Sequence, residues 1–189
     1  MKTALYKNKN FTWWDLENPT EQELVALLKE NNINTGNLKD VMDPLHLPKF
    51  EENDTYYFSI LRLYECDKPE ALESIQELTH KLAFYISDSF IVSVHRLPIL
   101  RLKDVVSKLN NTESTSCYVG LRLMRLAFRS YEQPLLQFDN ELEEIENNMM
   151  RKNKLRNSIL HLYHVKKKTF LSCACSSCIL IVLRIGANV

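Results

Sequence analysis

Asp40, Asp43 and His46 fall within seven residues of one another, in a stretch interrupted by Pro44 and ended by Pro48. Carboxylate oxygens suit a hard divalent cation such as Mg²⁺. It keeps much of its water, so one or two carboxylates per chain suffice when a neighbouring chain adds more. The same residues also read as an ordinary helix end and turn. Cys173, Cys175 and Cys178, with His161 and His164 one helical turn apart upstream, are donor types for zinc. A structural zinc site takes four ligands from two separated pairs, and these thiols bunch at one end of the chain without a second pair. Cys175 to Cys178 reads C-x-x-C but does not follow a strand of a thioredoxin-like unit, which argues against redox chemistry. His95 ends an apolar segment with no Ser or Cys nucleophile motif beside it, and neither G-x-S-x-G nor H-E-x-x-H occurs. It reads as a satisfied histidine at a sheet edge. Only three glycines are present, Gly36, Gly120 and Gly186, so no phosphate loop or dinucleotide fingerprint can be written.

Arg151, Lys152, Lys154, Arg156 and Lys166 to Lys168 form a basic run without an acid. It can meet phosphates or an anionic membrane surface. It can also pair with Asp139, Glu141, Glu143, Glu144 and Glu146 just upstream, and the nearness of these acids favours pairing. Across the 189 residues, 24 basic and 24 acidic side chains cancel, which gives no overall case for nucleic acid. A hydrophobic share of 45% describes a globular protein with a real core. The longest uncharged C-terminal stretch, Thr169 to Leu183, is shorter than the roughly 18 to 20 apolar residues that cross a bilayer. Met1 to Asn10 is polar and carries three lysines, unlike a signal peptide, and five cysteines are an odd number, so reduced thiols in the cytosol are expected.

The elements that must position these residues alternate in type. Phe11 to Leu16 reads as a strand. Asn18 as cap, Pro19 in the first turn and the acid Glu21 three residues on then open a helix carried by Leu24, Ala26, Leu27 and Leu28 to about Asn31. Leu38 to Met42 reads as one or two helical turns, and Pro44 to Pro48 as a rigid elbow. Tyr56 to Tyr64, Leu82 to Ile86 and Phe90 to Val94 read as strands, the last two as an antiparallel hairpin across Ser87 to Ser89. Adjacent Trp13 and Trp14 must point to opposite faces. Glu65 to Glu77 reads as a loop, Leu97 to Leu109 as helical, and Asn110 to Ser116 as a linker. From Cys117 helical signal continues to about Leu171. Leu135, Phe138, Leu142, Ile145 and Met149 repeat at steps of three and four, the seam of a helix packed on another. The seam fails at Lys152 and Arg156, so a break around Asn147 to Asn153 is expected, followed by an antiparallel second helix with Leu155, Ile159, Leu162 and Tyr163 inward.

Several segments in order resemble the cytoplasmic part of CorA-type magnesium transporters. They are W-W-D-L-E-N-P-T-E-Q-E-L from Trp13, L-K-D-V-M-D-P-L-H-L-P-K-F-E from Leu38, and F-I-V-S-V-H-R from Phe90. The helical region from Tyr118 to Glu146, ending in E-L-E-E-I-E, completes the series. The resemblance implies an α/β/α sandwich with a mixed, partly antiparallel sheet, followed by a long helical hairpin. Residues 1–112 would form the α/β sensor-type domain, 113–171 the hairpin, and 172–189 an atypical Cys-rich tail. It further implies no enzymatic chemistry, a homopentamer, and a place on the cytoplasmic side of the membrane, with cation level coupled to a pore. The Gly-Met-Asn pore motif, the spans and the long stalk are missing from this sequence, and a truncated or frame-shifted product is the expectation; the alternative reading is a soluble interaction module working through the helical hairpin, or a non-functional truncated fragment. Asp40 and Asp43 are the metal candidates, for Mg²⁺ as regulatory or transported ion. Lys39 and Arg125 stand where relatives have acids, and one or the other is expected to substitute a fixed positive charge for the metal near Asp40 and hold the subunit contact without Mg²⁺ control.

Overall fold

Strands form where branched and aromatic side chains alternate, and here the alternation is two-sided because helices cover both faces of one sheet. The protein was analysed as a computed structural model that describes residues 2–65, 75–109 and 114–151. The chain opens with strands β1 (Lys2–Lys7) and β2 (Thr12–Glu17), then helices α1 (Glu21–Glu30) and α2 (Leu38–Met42). Strands β3 (Lys49–Glu52) and β4 (Tyr57–Tyr64) follow, then a helical turn α3 (Ile75–Leu78) and strands β5 (Thr79–Ile86) and β6 (Phe90–His95). Helices α4 (Leu102–Ser107), α5 (Ser116–Ser130) and α6 (Glu132–Arg151) complete the described chain. The sheet runs β1-β2-β6-β5-β4-β3. All neighbours are antiparallel except β2 and β6, which pair in parallel with Asp15 opposite Ser93.

Period two sorts the core into layers. Leu16, Phe58, Ile60, Tyr85, Val92 and Val94 face α1 and α2, whose Leu24, Leu27, Leu28 and Val41 cover them. Trp13, Leu61, Leu63, Phe84 and Ile91 face the other way, under Leu102, Val119, Leu123, Ala127, Phe138 and Ile145 of α4 to α6. The result is the mixed-sheet α/β/α sandwich, with a long helix at its C-terminal end. Trp13 is fully buried, whereas Trp14 lies on the opposite face with the Lys2 ammonium 4.6 Å from its ring centroid. Gly120 lets α5 close on β5, because a Cβ there would run into Ile86.

Several expectations move. Strands β1 and β3 are added at the two edges, where polar and charged residues dilute the apolar signal. The cap of α1 is Thr20, two residues later than Asn18: Thr20 accepts from the Glu23 amide at 3.3 Å while Glu23 accepts from the Thr20 amide at 2.8 Å. Asn18 instead takes φ 45°, a conformation asparagine tolerates, and turns the chain from strand to helix. Ala26 is exposed on α1. Of Leu97 to Leu109 only Leu102–Ser107 is α-helical; the chain enters it through tighter turns in which the Leu102 and Lys103 amides donate to the carbonyls of Ile99 and Leu100. The helical region after Cys117 breaks at Tyr131, because Pro134 has no amide to continue the ladder and sits instead in the first turn of α6. Helix α6 runs unbroken through Asn147 to Arg151, the described part of the break expected at Asn147 to Asn153; helix interiors accommodate asparagine at a cost of only about 0.7 kcal/mol. The second helix of the hairpin and the tail 172–189 lie outside the described residues.

Candidate functional site

The last carbonyls of a helix have no partners within it. At the end of α2 they are met by three basic side chains that period two places on that face of the sheet. Lys81 of β5 donates its ammonium to the carbonyls of Asp40 at 2.8 Å, Val41 at 2.6 Å, and Asp43. Arg96, just beyond β6, donates to the Met42 carbonyl at 2.7 Å. Arg62 of β4 donates Nε to the His46 carbonyl at 3.2 Å, Nη1 to Thr79 Oγ1 at 3.1 Å, and Nη2 to the Pro44 carbonyl. Six carbonyls between Asp40 and His46 are thus held by cations rising from the sheet. Burial pushes the Lys81 pKa down to about 8, with Arg62 and Arg96 adding to the shift against Asp43 and Asp40.

On this fixed elbow the Asp40 carboxylate accepts from Lys49 Nζ at 2.6 Å, and His46 Nε2 lies 3.5 Å away. Lys49 reaches Glu51 at 2.6 Å as well, forming a carboxylate, ammonium, carboxylate row. The Lys49 hydrogen bond is the main reason that the Asp40 pKa falls below its ordinary value, and the reverse bond raises that of Lys49. Asp43 turns away and accepts from the Leu45 amide at 2.8 Å, an Asx turn. The structure therefore brings Asp40 and His46 together and leaves Asp43 in its own turn. A divalent ion needs carboxylate and water oxygens around it, whereas an ammonium already occupies the Asp40 oxygen and the Lys81 ammonium stands behind it. Among the described residues no group of three or more His, Cys, Asp or Glu is placed to hold a metal. Within one chain this donor set does not fit Mg²⁺. Lys39 is exposed and Arg125 lies exposed on α5. The cation at Asp40 is Lys49, missed in the sequence although P-K-F-E follows the elbow directly.

A second polar group lies on the opposite face. His95 is not at an edge: parallel pairing with β2 puts β6 inside the sheet, and the residue is buried. Its Nε2 is 3.0 Å from Asp15 Oδ2 and its Nδ1 2.7 Å from the Leu97 carbonyl. Both partners are acceptors, so both ring nitrogens donate and the ring is an imidazolium. Burial pulls its pKa down, but Asp15 through hydrogen bond and charge, the Leu97 carbonyl and Glu17 together raise it. Asp15 also accepts from Ser93 Oγ, which accepts from Trp13 Nε1 at 2.9 Å. The chain of bonds crosses the parallel ladder and leaves no free nucleophile, so its role is structural. Of the thiols, Cys117 is exposed on α5. Cys66, Cys173, Cys175 and Cys178, His161 and His164, and the basic run beyond Arg151 lie outside the described residues.

The family model described as CorA-like Mg²⁺ transporter protein matches residues 8–170. A cobalt/magnesium transport protein CorA from Methanocaldococcus jannaschii is 25% identical over 151 residues, covering 77% of this chain and 45% of that protein. The chain thus spans about half the length of that curated relative. The complete CorA magnesium transporter from the same organism matches with a TM-score of 0.65 at 22% identity, over 94% of this chain and 56% of that one. Its soluble domain matches at 0.56 and 17% identity, over 92% and 86%. The ZntB cytoplasmic domain from Vibrio parahaemolyticus matches at 0.57 and 10%, over 98% and 90%. At such identities the structural likeness shows the fold. No helix among the described residues is long and apolar enough to cross a membrane. With the ordered motifs and the sandwich agreeing with a family match over most of its length, the chain belongs to the CorA-like Mg²⁺ transporter family.

Proposed function

We propose that this chain is the cytoplasmic regulatory part of a CorA-like divalent cation transporter, with Mg²⁺ as the transported ion, and that it self-associates, as a pentamer in the assembled transporter. The observation that carries this reading is the likeness to the CorA soluble domain, 86% of which is covered by the match. The domain acts by binding and shape change, not by covalent chemistry. Asp40 and Asp43 sit on the elbow, and the Lys49 ammonium takes the charge-balancing place that a divalent ion would have beside Asp40. A fixed cation then holds the elbow without Mg²⁺ control. Two measurements on the full chain test this. Equilibrium sedimentation is expected to show concentration-dependent association towards a pentamer, and a monomer at every concentration refutes the self-associating domain. In a Mg²⁺ titration by calorimetry no saturable binding is expected, and millimolar or tighter binding abolished by Asp40→Ala refutes the fixed-cation reading.

A further inference from the structure

Helix α5 carries Arg122, Arg125 and Arg129 and no acid. Arg122 is aligned by Tyr118, whose hydroxyl accepts from Nε at 2.9 Å and whose ring centroid lies 4.9 Å from the guanidinium. Arg129 has Glu132 at 3.5 Å. Arg125 is exposed and has no ion-pair partner among the described residues. Interleaved with these arginines, Leu121 is 50% exposed and Phe128 37%, so the outer face of α5 is both basic and apolar. Helix α6 is the converse. Asp139, Glu143, Glu144 and Glu146 are exposed, none is ion-paired among the described residues, and Leu136, one turn earlier, is 57% exposed.

The spacings match. Arg122, Arg125 and Arg129 are three and four residues apart; read backwards, Glu146, Glu143 and Asp139 are also three and four apart. Each row spans seven residues, about 10 Å of helix at 1.5 Å per residue. Laid antiparallel, the two rows put each arginine opposite one acid, with Leu121 and Phe128 beside the seam. Among the described residues, the ion pair between α5 and α6 is Arg129 with Glu132 at their junction, and no ion pair joins the outer rows. We propose that the Tyr118–Arg129 face of α5 docks antiparallel against the Asp139–Glu146 face of α6 of a second copy of this chain. The proposal rests on the self-association read above and names its contact. Charge complementarity of this kind sets register and rejects wrong partners as much as it adds affinity.

The test uses two charge-reversed full-length chains, one with Arg125→Glu and Arg129→Glu, the other with Asp139→Arg and Glu143→Arg. All four side chains are exposed. Circular dichroism checks that each variant remains folded. In sedimentation runs at low salt, each variant alone is expected to associate about tenfold more weakly than the wild type, since attraction becomes repulsion at two pairs. A third chain that carries all four substitutions restores opposite charges at every contact and is expected to recover the wild-type association that each pair of substitutions weakens. Wild-type association left unchanged by either variant overturns this contact while leaving self-association intact. So does failure of the four-substitution chain to recover. A change in unfolding midpoint for the α6 variant without a change in association assigns the acids to residues 152–189 of their own chain and likewise overturns it. A wild type that stays monomeric overturns both readings.

Discussion

The imidazolium assigned to His95 makes a quantitative demand on stability. Its side chain is 3% exposed and its two hydrogen bonds end on acceptors, so the folded protein holds a proton that the unfolded chain, with histidine near about 6.5, gives up more readily. A raised folded pKa stabilises fully below the unfolded value, and that contribution is lost as pH rises through the folded value. Where the folded state keeps the proton and the unfolded state does not, stability falls by at most about 1.4 kcal/mol per pH unit. Urea unfolding between pH 5.5 and 7 measures it, below the window in which Lys81 titrates. The wild type is expected to lose stability across that range and His95→Gln to show a flatter profile. Asp15→Ala, which leaves a buried imidazolium and the Ser93 hydroxyl without their acceptor, is expected to cost about 3 to 5 kcal/mol. Asp15→Asn is expected to cost less, because an amide can donate to a neutral Nε2 and accept from Ser93. Equal pH slopes in wild type and His95→Gln, or an NMR titration showing His95 neutral at pH 6, would refute the reasoning.

Lys81→Met strips three carbonyls of their ammonium donor and is expected to lower stability by about 2 to 3 kcal/mol in urea unfolding. Because the folded Lys81 pKa lies near 8, below its ordinary 10.5, the unfolded chain binds more protons between those values, and the rise in stability with pH expected there should vanish in this variant. Tyr85→Phe removes a buried hydroxyl with no partner among the described residues and is expected to leave the melting temperature unchanged or raise stability by about 1 kcal/mol. Thr20→Ala, which removes the hydroxyl that accepts from the Glu23 amide and leaves the Thr20 amide donating to Glu23, is expected to cost about 1 kcal/mol in the same unfolding assay.

The elements that could be read in advance carry their signal locally. Leu38 to Met42, the proline elbow and the hairpin around Ser87 to Ser89 are dictated by neighbours a few residues away, and the structure shows them there. Strands β1 and β3 owe their existence to partners across the sheet, since Lys49–Glu52 alone is not a strand-like sequence. The polar groups follow the same division. Asp40 and His46 are close in sequence and close in space. The pairing of Asp15 with His95 across 80 residues, and of Lys81 with carbonyls about 40 residues away, depends on register that no local pattern reveals. Lys49 was within reach, nine residues from Asp40, but only the direction of the chain after Pro48 tells that it folds back.

The single parallel ladder between β2 and β6 divides the sheet by folding history. Strands β3 to β6 form an antiparallel run of sequential neighbours, and β1 with β2 form a hairpin of their own; both assemble through contacts nearer in sequence than the β2–β6 ladder. Joining them closes a loop from Glu17 to Phe90, whose ordering entropy precedes any reward from the ladder. Ser93, Asp15 and Trp13 then act as the clasp on a late-closing seam. Substitutions at the clasp, such as Ser93→Ala, are expected to accelerate unfolding in stopped-flow measurements while leaving the folding rate nearly unchanged. Core substitutions between β4 and β5 are expected to slow folding itself, and the reverse pattern would place the seam first.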